Sequence, residues 1–238
     1  MSVEPSLEPF LEPPQLPLWR RTLNLFVPSR CQLCRALGDV LCPSCFVNLP
    51  LRPHPVERGE LRGLAAADYE PPFDQLIGQF KDAQNASLDV FLAKAMCAAL
   101  PAQSGVSSAS LVPIPSSREA FSKRGFVPAE VLAEGLARAF ASGGGPRPRV
   151  VAGLRRVRAG ADQASLGVAA RAANQSGAFR ALPALADQEV WLVDDIVTTG
   201  ATLQEAARAI ESVGGHVLGF LVFAETLLKR DTQNSKWV

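Results

Sequence analysis

The chain has no run of about 18 apolar residues, so no membrane-spanning helix is expected. Its opening stretch carries Glu4, Glu8 and Glu12 among several prolines and lacks the basic and apolar segments of a signal peptide, which makes the cytoplasm the expected location. Charge of either sign is not in excess: 24 Lys and Arg stand against 23 Asp and Glu, which argues against a globally basic nucleic-acid binder. Aromatic residues make up only 7%, too few for an extended base-stacking platform of the usual kind. Internal repeats are absent, and low-complexity sequence is confined to short loops. With 47% of its 238 residues apolar, the chain can still bury one sizeable core and carry a small appendage.

The most informative stretch runs from Val190 to Thr202. Val190-Trp191-Leu192-Val193 is apolar, as in a central strand covered on both faces. Asp194-Asp195 should end that strand at the carboxyl edge of a sheet, because a buried unpaired carboxylate costs several kcal/mol. Open α/β sheets bind ligands at that edge. Thr198-Thr199-Gly200-Ala201-Thr202 then offers hydroxyls and small residues before Leu203, Ala206, Ala207, Ile210 and Val213, a helical stripe that stops at Gly214-Gly215. Free backbone N–H groups at such a helix start suit a phosphate dianion. Carboxylates beside a phosphate cradle accept hydrogen bonds from hydroxyls, so the implied ligand is a sugar 5-phosphate; an ordinary polar turn after a core strand is the plainer reading.

Residues Val193 to Thr202 resemble the phosphoribosyl pyrophosphate (PRPP) signature of type I phosphoribosyltransferases. That resemblance implies that Asp194 and Asp195 hold the ribose hydroxyls and that Thr198, Thr199, Gly200, Ala201 and Thr202 wrap the 5-phosphate.

Cysteine supplies the second strong pattern. Cys31-x-x-Cys34 and Cys42-x-x-Cys45 are two knuckles separated by seven residues, a spacing that lets four thiolates meet around one tetrahedral Zn2+. Disulfides compete with this reading but are disfavoured in a reducing compartment, and a redox pair ordinarily uses one such motif. Four thiolates leave no open position, so the metal role is structural. Cys97, in an Ala-rich helical stretch, reads as a small buried side chain.

In chain order, the Pro- and Glu-rich leader reads as disordered. Trp19, Leu23 and Phe26 fall at helical spacing in a short packing helix. Pro50 to Pro55 reads as a connector with His54 on the surface, and Leu61 to Tyr69 as a strand. Phe73, Leu76, Ile77 and Phe80 share one helical face and deliver Lys81, which either faces an anion or is a solvated helix-end charge. A second helix is expected from Ser87 to Leu100. Leu111 to Pro115 reads as a strand ending in Ser116-Ser117-Arg118, followed by Lys123-Arg124-Gly125-Phe126 and a helix opened by Pro128. Ser116, Arg118, Lys123, Arg124 and Lys81 are therefore candidates for the pyrophosphate end; ordinary surface charge is the alternative.

From Arg147 to Arg171 six arginines stand against the single Asp162. Arginine forks suit phosphates of PRPP or of a nucleic-acid backbone, which makes Arg155, Arg156 and Arg158 nucleic-acid candidates; a solvated basic face is the alternative. His216 to Phe223 reads as a last buried strand, with His216 in the preceding loop.

The order of these motifs, together with Gln163 and Asn174, resembles the ComF (ComFC) family of competence-associated phosphoribosyltransferase-like proteins. Two departures are visible: Val127 stands where the family often has Asn, and Ala159-Gly160-Ala161 follows Arg158. The resemblance implies an α/β fold of the type I phosphoribosyltransferase class, a mostly parallel sheet flanked by helices. The expected organisation is a leader at 1–18, a zinc-finger module at 19–58 and the phosphoribosyltransferase-like domain at 59–238. It also implies PRPP with Mg2+ as ligand, and a role with single-stranded DNA and other competence proteins in natural transformation, with peripheral association to the uptake machinery. Three functions compete: an active nucleobase transferase, a PRPP-binding module that handles single-stranded DNA, and a non-catalytic adaptor.

Overall fold

The computed structural model describes residues 29–83, 86–100, 106–157 and 177–227. The leader, the segment from Trp19 to Phe26, Arg158, Gln163, Leu166, Arg171 and Asn174 lie outside them.

The first described elements are short. Strands β1 (Ser29–Arg30) and β2 (Leu37–Gly38) pair antiparallel, and helix α1 (Pro43–Val47) starts within the second cysteine knuckle, with Cys42 at its N-cap and Cys45 in the helix. Next come β3 (His54–Arg58), β4 (Leu61–Asp68), α2 (Phe73–Ala83), α3 (Ala86–Ala98), β5 (Ser110–Pro113), α4 (Arg118–Arg124) and α5 (Pro128–Ser142). The chain continues through β6 (Arg149–Val150), β7 (Leu154–Arg156), β8 (Phe179–Ala181), β9 (Glu189–Val197), α6 (Ala201–Glu211) and β10 (His216–Glu225).

Six strands form one sheet in the order β3-β4-β10-β9-β5-β6; all neighbours are parallel except the β3-β4 hairpin at the edge. β7 and β8 pair antiparallel as a separate ribbon. The parallel strands are apolar on both faces, as burial by helices on either side requires. On one side Phe73, Leu76, Ile77, Phe80, Leu88, Phe91, Leu132 and Leu136 of α2, α3 and α5 form a cluster with Phe223 and Val193. The other face is covered by Leu203, Ala206, Ala207 and Ile210 of α6, packed against Leu192, Phe220 and Val222. Placing helices on both faces of a mostly parallel sheet defines the α/β architecture expected from the sequence.

Three local expectations need correction. β9 does not end at the acidic pair: its ladder with β5 stops at Val193, but pairing with β10 continues to Val197, so the backbone of Asp194 and Asp195 remains extended on one side. His54 is not in an open connector. It begins β3, opposite Ala65, and its ring meets Glu225. His216 likewise opens β10 as an exposed residue, paired with Glu189, rather than sitting in a loop.

The chain leaves β5 through α5 toward β6 and leaves β9 through α6 toward β10, so the connections diverge in opposite directions from this adjacent pair. That divergence opens a crevice at the carboxyl ends of β5 and β9, the position where open α/β sheets bind ligands.

Candidate functional site

The crevice is a cavity of about 890 Å3. β9 contributes Asp194 and Asp195, the turn after β5 contributes Ile114 to Ser117, and Arg118 and Arg124 come from the two ends of α4. Ser117 caps that helix by accepting from the backbone N–H of Ala120 at 3.1 Å, and Gly125 ends it at φ 77°. Lys81 of α2, Glu119 of α4, Arg155 and Arg156 of β7 and Thr202 of α6 complete the polar lining.

Residues far apart in the chain thus converge. Lys81 is not a solvated helix-end charge: its Nζ lies 2.8 Å from Asp195 Oδ2, and Asp195 is buried. Asp194 is half-buried, and its carboxyl is held well above the ordinary carboxylate range by desolvation and by the neighbouring Asp195 charge; the Asp195 backbone N–H, 2.9 Å away, and Lys81 pull the other way. The two carboxyls therefore differ in character, one ion-paired and one inclined to keep its proton.

Thr198 is exposed, Thr199 half-buried and Gly200 buried, at the start of α6. Gly200 has φ 80°, and a side chain there would meet Arg58 Cβ at 2.4 Å, so only glycine fits. Thr199 Oγ1 accepts from the Ala201 N–H at 3.4 Å, while the N–H groups of Thr199 and Gly200 bond no described group. These amides and the positive end of an 11-residue helix form a site of the kind that accepts an anion.

Arg155 and Arg156, which the sequence pointed toward nucleic acid, line the same cavity as the acidic pair. The Arg156 guanidinium stacks over Phe179 at 5.5 Å from the ring centroid, and its buried Nε has no hydrogen-bond partner among the described residues. Lys123 is exposed and is not among the lining residues.

Two buried polar arrangements escaped sequence reasoning. Arg58 and Glu225 are both buried and join each other at 2.6 Å beside the Thr198 loop. Glu205, buried under the β7-β8 ribbon, accepts from the Phe179 N–H and binds Arg208 in bidentate fashion at 2.7 Å. Burial pushes the Glu205 carboxyl up, but Arg208 and that N–H outweigh it and hold it below the usual range. The polar alternation of β3 and the i,i+3 spacing of Glu205 and Arg208 were the available signals.

The cysteine cluster lies apart from this cavity. The sulfurs of Cys31, Cys34, Cys42 and Cys45 lie within 4.8 Å of one another, with Cys34 and Cys42 Sγ atoms 3.6 Å apart. Tetrahedral Zn–S bonds of about 2.3 Å imply sulfur separations of roughly 3.8 Å, so the donor set fits such an ion. Burial raises the Cys31 thiol pKa, but backbone N–H groups, that of Cys42 foremost, bring it down to about 6; Cys45 is pushed up to about 12 by burial and its sulfur neighbours. Four thiolates this close need a cation to ionise together. Cys97 is separate and buried, its thiol pushed up to about 11 by burial.

Comparison with known proteins agrees with this geometry. The phosphoribosyl transferase domain family matches residues 121–238. The DNA utilization protein YhgH of Escherichia coli K12 is 26% identical over 235 residues, covering 85% of this chain and all of its own length. YhgH of Shigella flexneri matches to the same extent, and that of Salmonella typhi is 27% identical over 240 residues with the same coverage. Fold and match together define a protein with a phosphoribosyltransferase domain. The four-cysteine cluster ahead of that domain and the likeness to the DNA utilization proteins over their full length agree with the resemblance to the ComF family read from the motifs. Among the described residues no helix is long and apolar enough to cross a membrane.

Proposed function

We propose that the cavity binds PRPP together with Mg2+, and that the protein acts in the cytoplasm in natural transformation, in the uptake or handling of single-stranded DNA. The observation that carries this reading is the meeting, in one cavity, of Asp194 and Asp195 with Lys81, Arg118 and Arg124 beside the start of α6.

In this reading Asp194 and Asp195 hydrogen-bond the ribose hydroxyls. The amides and hydroxyls from Thr198 to Thr202 receive the 5-phosphate. Ser116, Arg118, Arg124 and Lys81 face the pyrophosphate, with Lys123 at the exposed side of the same helix. Mg2+ bound with PRPP supplies further neutralisation of the pyrophosphate charge. The ion of the cysteine cluster is zinc, held by Cys31, Cys34, Cys42 and Cys45, with a role in folding only.

Arg155 and Arg156, with Arg158 following them in sequence, are the nucleic-acid contacts. The name of the YhgH relatives, DNA utilization protein, favours a DNA role for this chain too. Because Arg155 and Arg156 line the cavity that would receive PRPP, a strand held there meets the ligand. The test is calorimetric titration of the zinc-loaded protein with PRPP and Mg2+, with and without a short single-stranded oligonucleotide. Binding of PRPP that changes with the oligonucleotide, and the reciprocal change in DNA affinity, are expected. Absence of PRPP binding would leave the loop as scaffold and favour the adaptor function. Release of pyrophosphate on adding a nucleobase would favour the active transferase.

A further inference from the structure

We infer that Arg58 is the positioning residue for the loop at the start of α6, fixing the direction of the amide that meets the 5-phosphate. The inference rests on the PRPP reading for the identity of the ligand, and on bond geometry for the role itself.

Arg58 projects from β3, the antiparallel edge strand, and is 7% exposed. Its Nε donates to the Thr198 carbonyl at 2.6 Å, NH1 to the Glu57 carbonyl at 2.9 Å, and NH2 to Glu225 Oε1 at 2.6 Å and the Thr226 carbonyl at 3.2 Å. Its stem fills the space that a side chain at position 200 would need. Gln204 of α6 returns a bond to the Arg58 carbonyl at 3.2 Å. The loop is thus gripped from inside at Thr198, Gly200 and Gln204 by one residue.

The consequence follows from peptide geometry. In a trans peptide the C=O and the next N–H point in opposite directions. Holding the Thr198 carbonyl inward therefore turns the Thr199 N–H away from Arg58, and this amide is one of those bonding no described group. An apolar residue would fill the position without desolvating an ion. It would not fix that carbonyl.

The variant Arg58→Met keeps most of the stem against Gly200 and removes the donors; Arg58→Lys keeps the charge without the fork. Calorimetry would compare ribose 5-phosphate, PRPP and pyrophosphate, each with Mg2+, and NMR order parameters would follow the backbone of residues 198–200 in ligand-free protein. Losing a charge-assisted bond should weaken ribose 5-phosphate and PRPP by about tenfold or more in Arg58→Met, with partial recovery in Arg58→Lys. Pyrophosphate affinity should be unchanged, and the order parameters should fall. Unchanged order parameters, or an equal loss for pyrophosphate, would overturn the inference. Should wild-type protein bind no sugar phosphate, the PRPP reading fails, and the order parameters alone decide whether Arg58 positions the loop. If Arg58→Met does not fold, Glu225→Gln, which removes the carboxylate anchoring Arg58, is judged by the same readings.

Discussion

Lys81 Nζ sits 2.8 Å from Asp195 Oδ2 and thereby ties the last turn of α2 to the acidic pair on β9. The bond keeps the buried Asp195 carboxylate compensated, while burial and the Asp195 charge hold the Asp194 carboxyl above the ordinary range against the pull of Lys81. A ligand entering the cavity meets a cation already in place.

Replacing both Asp194 and Asp195 by Asn should abolish measurable PRPP binding. Each carboxylate-to-hydroxyl bond contributes about 1.5–3 kcal/mol, so each single variant should lose roughly tenfold to a hundredfold in affinity. Wild-type affinity in the double variant, read by calorimetry, would remove both residues from the ribose.

Metal analysis should find one zinc per chain. Cys31→Ser should lower the melting temperature, because loss of a structural site removes several kcal/mol of folding free energy. Unchanged melting after Cys31→Ser or after exhaustive chelation would make the cluster dispensable.

Arg155→Ala combined with Arg156→Ala should weaken single-stranded DNA binding. Removing two phosphate contacts should flatten the slope of log affinity against log salt by about 1.4. A slope equal to wild type takes both arginines out of the contact set.

His54 donates through Nδ1 to the Arg52 carbonyl at 2.8 Å and places Nε2 2.7 Å from Glu225 Oε2. Burial alone would lower its pKa, but the Arg52 carbonyl, Glu225 and Asp68 raise it above the ordinary value. A raised folded-state pKa means that the stabilisation is complete below about pH 6.5 and is lost as pH rises through the folded value. The stability difference between wild type and His54→Gln, measured by urea unfolding, should therefore be largest in mild acid and shrink toward alkaline pH. A difference constant from pH 6 to 9 contradicts the assignment.

Periodicity and motif order gave a reader of the sequence the parallel sheet, the α6 stripe and the cysteine cluster, because each depends on residues near one another in the chain. The length of β9 did not emerge, since its last pairs depend on β10 after β5 has ended. Lys81 looked like any helix-end lysine until the fold set Asp195 opposite it. Arg58 was invisible for the same reason: the loop carbonyl it binds lies 140 residues away, and its carboxylate partner 167. Arg155 and Arg156 were recognised as phosphate-seeking residues, but their sharing one cavity with the acidic pair is a product of the β7-β8 ribbon.

The apolar face of α2 belongs to the same cluster as Cys31, Val40, Leu41 and Phe46, with Phe46 edge-on to Phe91 of α3 at 5.5 Å. Gln75 of α2 donates to the Gln32 carbonyl, and the same helix ends in Lys81. Cutting the chain between the cysteine cluster and β3 would therefore bare an oily wall behind the very helix that supplies Lys81. The fragment starting at β3 would be sticky and poorly soluble, and the cysteine cluster is better regarded as one wall of the core on that face of the sheet than as a detachable accessory.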